Sequence, residues 1–156
     1  TWLCHYVLGL TIGAAAAGGW IAVTGSFAPT AYALWAGVGL WIAGFDILYA
    51  TQDYTFDRAH GVKSIPARFG IPQALRVARA SHLLAWLAFL WAGVSYGAGP
   101  LYYLGLLLVG GLLLLEHRLV SPEDLSKVEV AFFQANVGVS LGMFLFIVLD
   151  LLARGA

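Results

Sequence analysis

Residues 31–50 read Ala31-Tyr32-Ala33-Leu34-Trp35-Ala36-Gly37-Val38-Gly39-Leu40-Trp41-Ile42-Ala43-Gly44-Phe45-Asp46-Ile47-Leu48-Tyr49-Ala50, with Asp46 the one charged residue. A helix of about 20 apolar residues spans a bilayer core of about 30 Å, so this run is long enough to cross one. Its apolar residues are continuous, not alternating, which selects a helix over a barrel strand. Working outward, comparable runs lie near Tyr6–Val23, Ser81–Tyr96, Leu101–Leu115 and Val130–Leu149. The composition agrees, with 61% hydrophobic and 10% charged residues and a mean hydropathy of +0.85, well above that of water-soluble domains. The expected fold is all-α: a multi-span transmembrane helix bundle of about five spans, forming a single domain over residues 1–156.

The charges are clustered. Eight of the sixteen lie between Asp46 and Arg79, six between Glu116 and Glu129, and Asp150 and Arg154 complete the set. With five spans, the connections after the second and fourth share one side, and they carry seven of the eight basic residues. The positive-inside rule places both in the cytoplasm, with the loops near Ser26 and Gly99 and the C-terminus outside. Acidic and basic residues balance and no basic run occurs, which excludes nucleic-acid binding. A lone cysteine, Cys4, cannot form an internal disulfide and reads as a small buried apolar side chain. No paired Cys/His metal site is evident, and His5, His82 and His117 lack ligand-spaced partners, so they read as structural or interfacial. The apolar opening Thr1-Trp2-Leu3-Cys4, without Met or a basic lead, gives the expectation that the chain is a piece of something longer.

Gly9-x-x-x-Gly13 and Gly138-x-x-x-Gly142 provide small-residue spacings that let helices approach closely in lipid. Ser121-Pro122-Glu123-Asp124 predicts a helix start, with Ser121 as N-cap and Pro122 at the first helical position. Gln134 and Asn136, polar within the last span, are expected to hydrogen-bond across helices. Arg76 and Arg79 read as interface anchors just ahead of a span, and His60 as a polar loop residue.

The chemistry concentrates in Asp46-Ile47-Leu48-Tyr49-Ala50-Thr51-Gln52-Asp53-Tyr54-Thr55-Phe56-Asp57, followed by Arg58-Ala59-His60-Gly61-Val62-Lys63-Ser64. If the second span continues as one helix, Asp53 and Asp57 fall about 20° either side of Asp46 around its axis. Asp53 and Asp57 would then be about 6 Å apart in rise, with Asp46 about 10 Å deeper. Two carboxylates one turn apart repel unless a cation lies between them, and hard oxygen ligands suit Mg²⁺, which completes its shell with water and phosphate. A carboxylate inside the membrane costs about 2.5–3.5 kcal/mol, which marks Asp46 as a functional candidate.

Asp-x-x-Tyr-Ala-x-x-Asp-x-x-x-Asp followed by Gly-Val-Lys-Ser resembles the second aspartate motif of the UbiA superfamily of intramembrane prenyltransferases, most closely its 4-hydroxybenzoate polyprenyltransferase branch. Cys4-His5-Tyr6-Val7-Leu8-Gly9-Leu10 and Phe132-Phe133-Gln134-Ala135-Asn136 resemble helices of the same branch. The resemblance implies a nine-helix fold with two aspartate motifs facing one cavity. These five spans would be its C-terminal part, without the N-terminal helices and the first motif.

It further implies Mg²⁺-dependent transfer of a polyprenyl group from its diphosphate to an aromatic acid such as 4-hydroxybenzoate, in ubiquinone or menaquinone biosynthesis. Asp53 and Asp57 would hold Mg²⁺, and Lys63 would contact diphosphate oxygens. Asp46 would support the metal shell or the acceptor, while Tyr49, Ser64, Arg68 and Asn136 would contact substrate. The expected setting is an integral, multi-pass protein of a bacterial inner membrane with the aspartate motif cytoplasmic, in contact with lipid, and a missing N-terminal half is a possible partner. The alternative from another class is a transporter or proton-relay bundle using Asp46, Asp53 and Asp57.

Overall fold

Glycines set the closest helix contacts of the bundle. The computed structural model describes residues 1–155, and these form seven helices: α1 (Cys4–Thr24), α2 (Pro29–Tyr49), α3 (Tyr54–His60), α4 (Ile65–Phe69), α5 (Ile71–Tyr96), α6 (Pro100–Leu119) and α7 (Val128–Arg154). Five of them, α1, α2, α5, α6 and α7, are long and apolar enough to cross a membrane. They agree with the expected spans, and the largest extension is at α5. α5 begins ten residues ahead of Ser81 and takes in Arg76 and Arg79, because backbone hydrogen bonding continues beyond the apolar stretch that hydropathy marks.

Gly9 and Gly13 of α1 lie directly against Gly39 of α2. A Cβ at Gly13 would stand 2.7 Å from the Trp35 carbonyl oxygen and 2.8 Å from the Gly39 nitrogen, and one at Gly9 would collide with the Gly39 carbonyl. Small residues thus let the two backbones touch, the arrangement that substitutes for hydrophobic driving force in lipid. Gly37 and Gly44, on α2, make room in the same way for Phe89 and His82 of α5. Gly138 and Gly142 meet the ends of Leu112 and Leu108 of α6, a looser fit against flexible side chains.

At one end of the bundle, Ile47, Leu48, Ile65, Leu75, Val120 and Val128 form a common core. This places the connections 50–70 and 120–127 together with the start of α1, whose Tyr6 packs on the same cluster. At the opposite end, Asp150 of α7 accepts hydrogen bonds from the backbone N–H groups of Gly99 (2.8 Å) and Tyr102 (3.3 Å). It therefore serves the otherwise unpartnered first turn of α6.

Two local expectations fail for identifiable reasons. Ser121 does not start a helix: its Oγ accepts from the Asp124 N–H (3.1 Å), and Asp124 in turn accepts from the Ser126 N–H and hydroxyl. These contacts hold the Asp124 carboxyl below its ordinary value, the Ser126 hydroxyl contributing most. Side chains spent on the loop leave α7 to begin at Val128. Cys4 is exposed, and its thiol donates to the Lys63 carbonyl at 3.4 Å.

Replacing Gly9 by Leu is expected to drive the chain of α1 off α2 and lower stability by about 1–3 kcal/mol. Gly19, where an added Cβ would meet nothing within 4 Å, should accept Ala without loss. Thermal unfolding of both variants in detergent checks the contrast.

Candidate active site

The helix carrying Asp46 does not continue to Asp57. The Thr51 hydroxyl donates to the Leu48 carbonyl at 2.7 Å, and residues 51–53 close i→i+3 backbone bonds in place of i→i+4 bonds. The tighter winding adds about 20° per residue, so the single face predicted for Asp46, Asp53 and Asp57 is lost over this turn. Asp53 becomes the N-cap residue of the separate helix α3, without a side-chain cap bond, and is exposed. Asp57, one turn later, is buried at 7% exposure.

Asp57 is held by Ser64, whose hydroxyl donates to Asp57 Oδ2 at 2.7 Å. The same Ser64 oxygen accepts from the Ala67 N–H (3.2 Å) and so caps α4. Gly61 makes the turn between α3 and α4 possible, since its φ of 67° ends α3 in the left-handed region. The result is an open cavity of about 600 Å³ lined by Asp57, Arg58, Lys63, Ser64 and Arg68, with Trp2 at one wall. Asp53 does not line it. Among the described residues, Arg58, Lys63 and Arg68 make no ion pair with a carboxylate. Arg58 instead hydrogen-bonds the Tyr54 hydroxyl (3.0 Å). Three cations beside one hydrogen-bonded carboxylate make a cavity suited to a polyanion.

Asp46 is connected to this cavity through His5, a residue whose sequence context reads as structural or interfacial. Buried His5 accepts from the Ile65 N–H at Nε2 (3.2 Å), so its proton resides on Nδ1, which donates to Asp46 Oδ2 at 2.6 Å. The chain Asp46–His5–Ile65–Ser64–Asp57 thus joins α1, α2, α3 and α4. The close α1–α2 approach at Gly9, four residues after His5, supplies the signal that this imidazole faces α2.

Tyr49 and Asn136 belong to a neighbouring seam between α2 and α7. The Tyr49 ring packs on Phe132 with centroids 4.5 Å apart, and Phe45 meets Phe132 edge-on at 5.2 Å. Asn136 does not bond across helices as expected: its Nδ2 donates to the Phe132 carbonyl of its own helix (2.6 Å), and its buried Oδ1 has no donor among the described residues. Gln134 is exposed. His60 is exposed too, bonded to the Phe56 carbonyl and stacked on the Phe56 ring. The expectation that His82 and His117 lack ligand-spaced partners is also corrected, since Nδ1 of His82 and Nε2 of His117 are 2.9 Å apart. They sit 35 residues apart in sequence, on α5 and α6, a separation that hides their meeting from any local motif.

Replacing His5 by Phe removes the partner of Asp46 and orphans the Ile65 N–H. A buried donor left unpaired costs about 1–3 kcal/mol, so a lower unfolding temperature is expected. Ser64→Ala should leave α4 uncapped at a cost of about 1 kcal/mol. Thermal denaturation followed by circular dichroism measures both.

Comparison with known proteins places this geometry in context. Residues 1–147 match the UbiA prenyltransferase family. The chain is 34% identical over 122 residues to 4-hydroxybenzoate octaprenyltransferase of Nitrosospira multiformis, an alignment covering 75% of this chain and 40% of that protein. It is 34% identical over 152 residues to the enzyme of that name from Methylococcus capsulatus, covering 92% and 50%. The fold is similar to the apo structure of a UbiA homolog from Aeropyrum pernix K1, with a TM-score of 0.81 and 31% identity over 96% of this chain and 56% of that one. The chain therefore spans about half the length of these relatives. The transporter reading gains no support from them. With five apolar helices and this match, the chain is an integral multi-pass membrane protein, and it belongs to the UbiA prenyltransferase family.

Proposed function

We propose that this chain supplies the diphosphate-binding half of a site that transfers a polyprenyl group to an aromatic acid such as 4-hydroxybenzoate, in quinone biosynthesis. The observation that carries the reading is the convergence of Asp57, Lys63, Ser64 and Arg68 on one open cavity in a member of this family. The names of its relatives favour 4-hydroxybenzoate as acceptor.

The residues fit a Mg²⁺ ion. Asp57 offers a hard oxygen beside the cavity while Ser64 occupies its other one, and the open space leaves room for the water and phosphate that Mg²⁺ prefers. Asp57 would hold the ion, and Asp53, exposed one turn earlier, would add a second carboxylate from the same segment. When bound, Mg²⁺ would neutralise charge on the departing diphosphate.

The chain's own groups do the rest. Lys63, Arg58 and Arg68 bind the diphosphate oxygens and stabilise the negative charge that develops as the allylic carbon–oxygen bond breaks. Ser64 fixes the Asp57 carboxylate, and the His5–Asp46 contact fixes the segment that carries Lys63 and Ser64. The apolar helices shield the cationic prenyl carbon from water. Tyr49, whose exposed ring lies on the neighbouring α2–α7 seam, would offer an aromatic face to the cationic carbon, and Asn136 of α7 would lie on the acceptor side of the site. The proposed setting is a bacterial inner membrane with the cavity on the cytoplasmic side, where most of the basic residues lie. A segment carrying the first aspartate motif would complete the site.

Mg²⁺-dependent binding of a farnesyl diphosphate analogue, with and without an N-terminal half bearing that motif, tests the reading. Asp57→Asn is expected to abolish binding, Lys63→Gln to weaken it about tenfold or more, and Asp53→Asn to weaken it less than Asp57→Asn. Unchanged binding in Asp57→Asn would overturn the assignment.

A further inference from the structure

A second polar cluster lies inside the helical bundle, away from the diphosphate cavity. Glu116 of α6 is fully buried, and neither of its carboxylate oxygens has a hydrogen-bond partner among the described residues. His82 of α5, itself 2% exposed, brings Nδ1 to 3.5 Å from Glu116 Oε2 and 2.9 Å from His117 Nε2. One atom from each of the three residues can be chosen so that all lie within 4.8 Å of one another.

The hydrogen bonding of His82 fixes which of its nitrogens faces this group. Its Nε2 lies 3.2 Å from the Trp41 carbonyl, which can only accept, so Nε2 carries the proton and Nδ1 presents its lone pair to Glu116 and His117. A backbone carbonyl that orients an imidazole through its far nitrogen is the usual outer support of a metal-bound histidine. Gly44 provides the space, since a Cβ there would stand 2.5 Å from His82 Nε2.

Without a cation the cluster is poorly satisfied. A proton on His117 Nε2 can bridge to His82, and this still leaves Glu116 with no donor. A buried carboxylate in that position is costly unless it is neutralised or coordinated. One metal ion would engage all three groups. Two nitrogen or oxygen ligands of tetrahedral Zn²⁺, each about 2.0–2.1 Å from the metal, stand about 3.3 Å apart. The two distances from His82, 2.9 and 3.5 Å, bracket that value, and the His117–Glu116 pair lies within 4.8 Å.

We propose that His82, Glu116 and His117 form a binding site for a divalent transition-metal ion of the zinc type. Two imidazoles and one carboxylate select this class over Mg²⁺, which prefers an all-oxygen shell. His82 and His117 also line a cavity of about 830 Å³ shared with Arg79 and Arg118. That cavity gives the ion a route in and leaves its fourth position open to a small exogenous ligand. The two guanidinium groups oppose the cation, ionised Glu116 offsets them, and a cationic rim favours an anion or hydroxide as fourth ligand. The site is separate from Asp57 and draws nothing from the prenyl-transfer reading.

The test is equilibrium dialysis of the detergent-solubilised chain against Zn²⁺, with metal content measured by mass spectrometry and Co²⁺ substitution reporting the ligand geometry. One Zn²⁺ per folded chain and a tetrahedral Co²⁺ spectrum are expected. Glu116→Gln, which keeps the side-chain shape, and His117→Ala should each weaken Zn²⁺ by about 100-fold or more, at or beyond the loss typical of outer-shell partners. Circular dichroism verifies folding, and if His117→Ala fails to fold, Glu116→Gln decides. Folded wild-type chain without stoichiometric Zn²⁺, or equal affinity in folded Glu116→Gln, overturns the proposal. Because no prenyl substrate is present, either failure leaves the proposed function untouched.

Discussion

A carboxylate carried by an apolar helix needs a partner, and much of the architecture around the cavity follows from how Asp46 obtains one. His5 reaches it only because Gly9 and Gly13 allow α1 to lie directly on the backbone of α2. With Nδ1 committed to Asp46, the lone pair of Nε2 is left for the Ile65 N–H, which fixes the start of α4. Ser64 is adjacent, caps that helix and steadies Asp57. Cys4 adds a second tie through the Lys63 carbonyl. The first turn of α1 therefore acts as a clamp on the loop that carries Lys63 and Ser64, although it contributes no side chain to the proposed binding of diphosphate.

The division of labour among the helices is also clear. α1, α2 and α5 are joined through glycine contacts in which backbone or ring atoms touch the helix. α6 and α7 meet through leucine ends and the larger Phe146 ring, which rests where Gly105 lacks a side chain. The aromatic seam of Phe45, Tyr49 and Phe132 bridges α2 and α7 at the same depth as Asp46. Tight packing thus lies on the side that positions the charged loop, and looser packing between α6 and α7.

The membrane fold was legible because apolar run length is a direct physical requirement of the bilayer, and five runs met it. That Asp57, Lys63, Ser64 and Arg68 meet at one cavity was legible too, since they lie within one short segment. The common face for all three aspartates was not, because a periodic count assumes uniform winding and cannot see the Thr51 hydroxyl tighten the turn. The His5–Asp46 pair and the His82–Glu116–His117 cluster join residues 41 and 35 apart in sequence. Such contacts depend on which helix faces touch, and a single sequence carries that only indirectly, through glycines whose partners are unspecified. Ser121 misled for a related reason: the same side chain can cap a helix or stabilise a loop, and Asp124 with Ser126 decided for the loop.

The hairpin tips bear on how the protein enters its membrane. Residues 25–28 between α1 and α2, and 97–99 between α5 and α6, contain no Asp, Glu, Lys or Arg. Each helical hairpin can therefore be threaded across as a unit without dragging a charge through hydrocarbon, which would cost about 2.5–3.5 kcal/mol per group. α7 alone brings charges to that end, and Asp150 and Arg154 lie one turn apart at 3.5 Å. They can cross as a neutral pair, after which Asp150 finds the amides of α6 waiting for it. The order of synthesis suits this sequence of events, because the helix that needs the cap is in place before the residue that provides it.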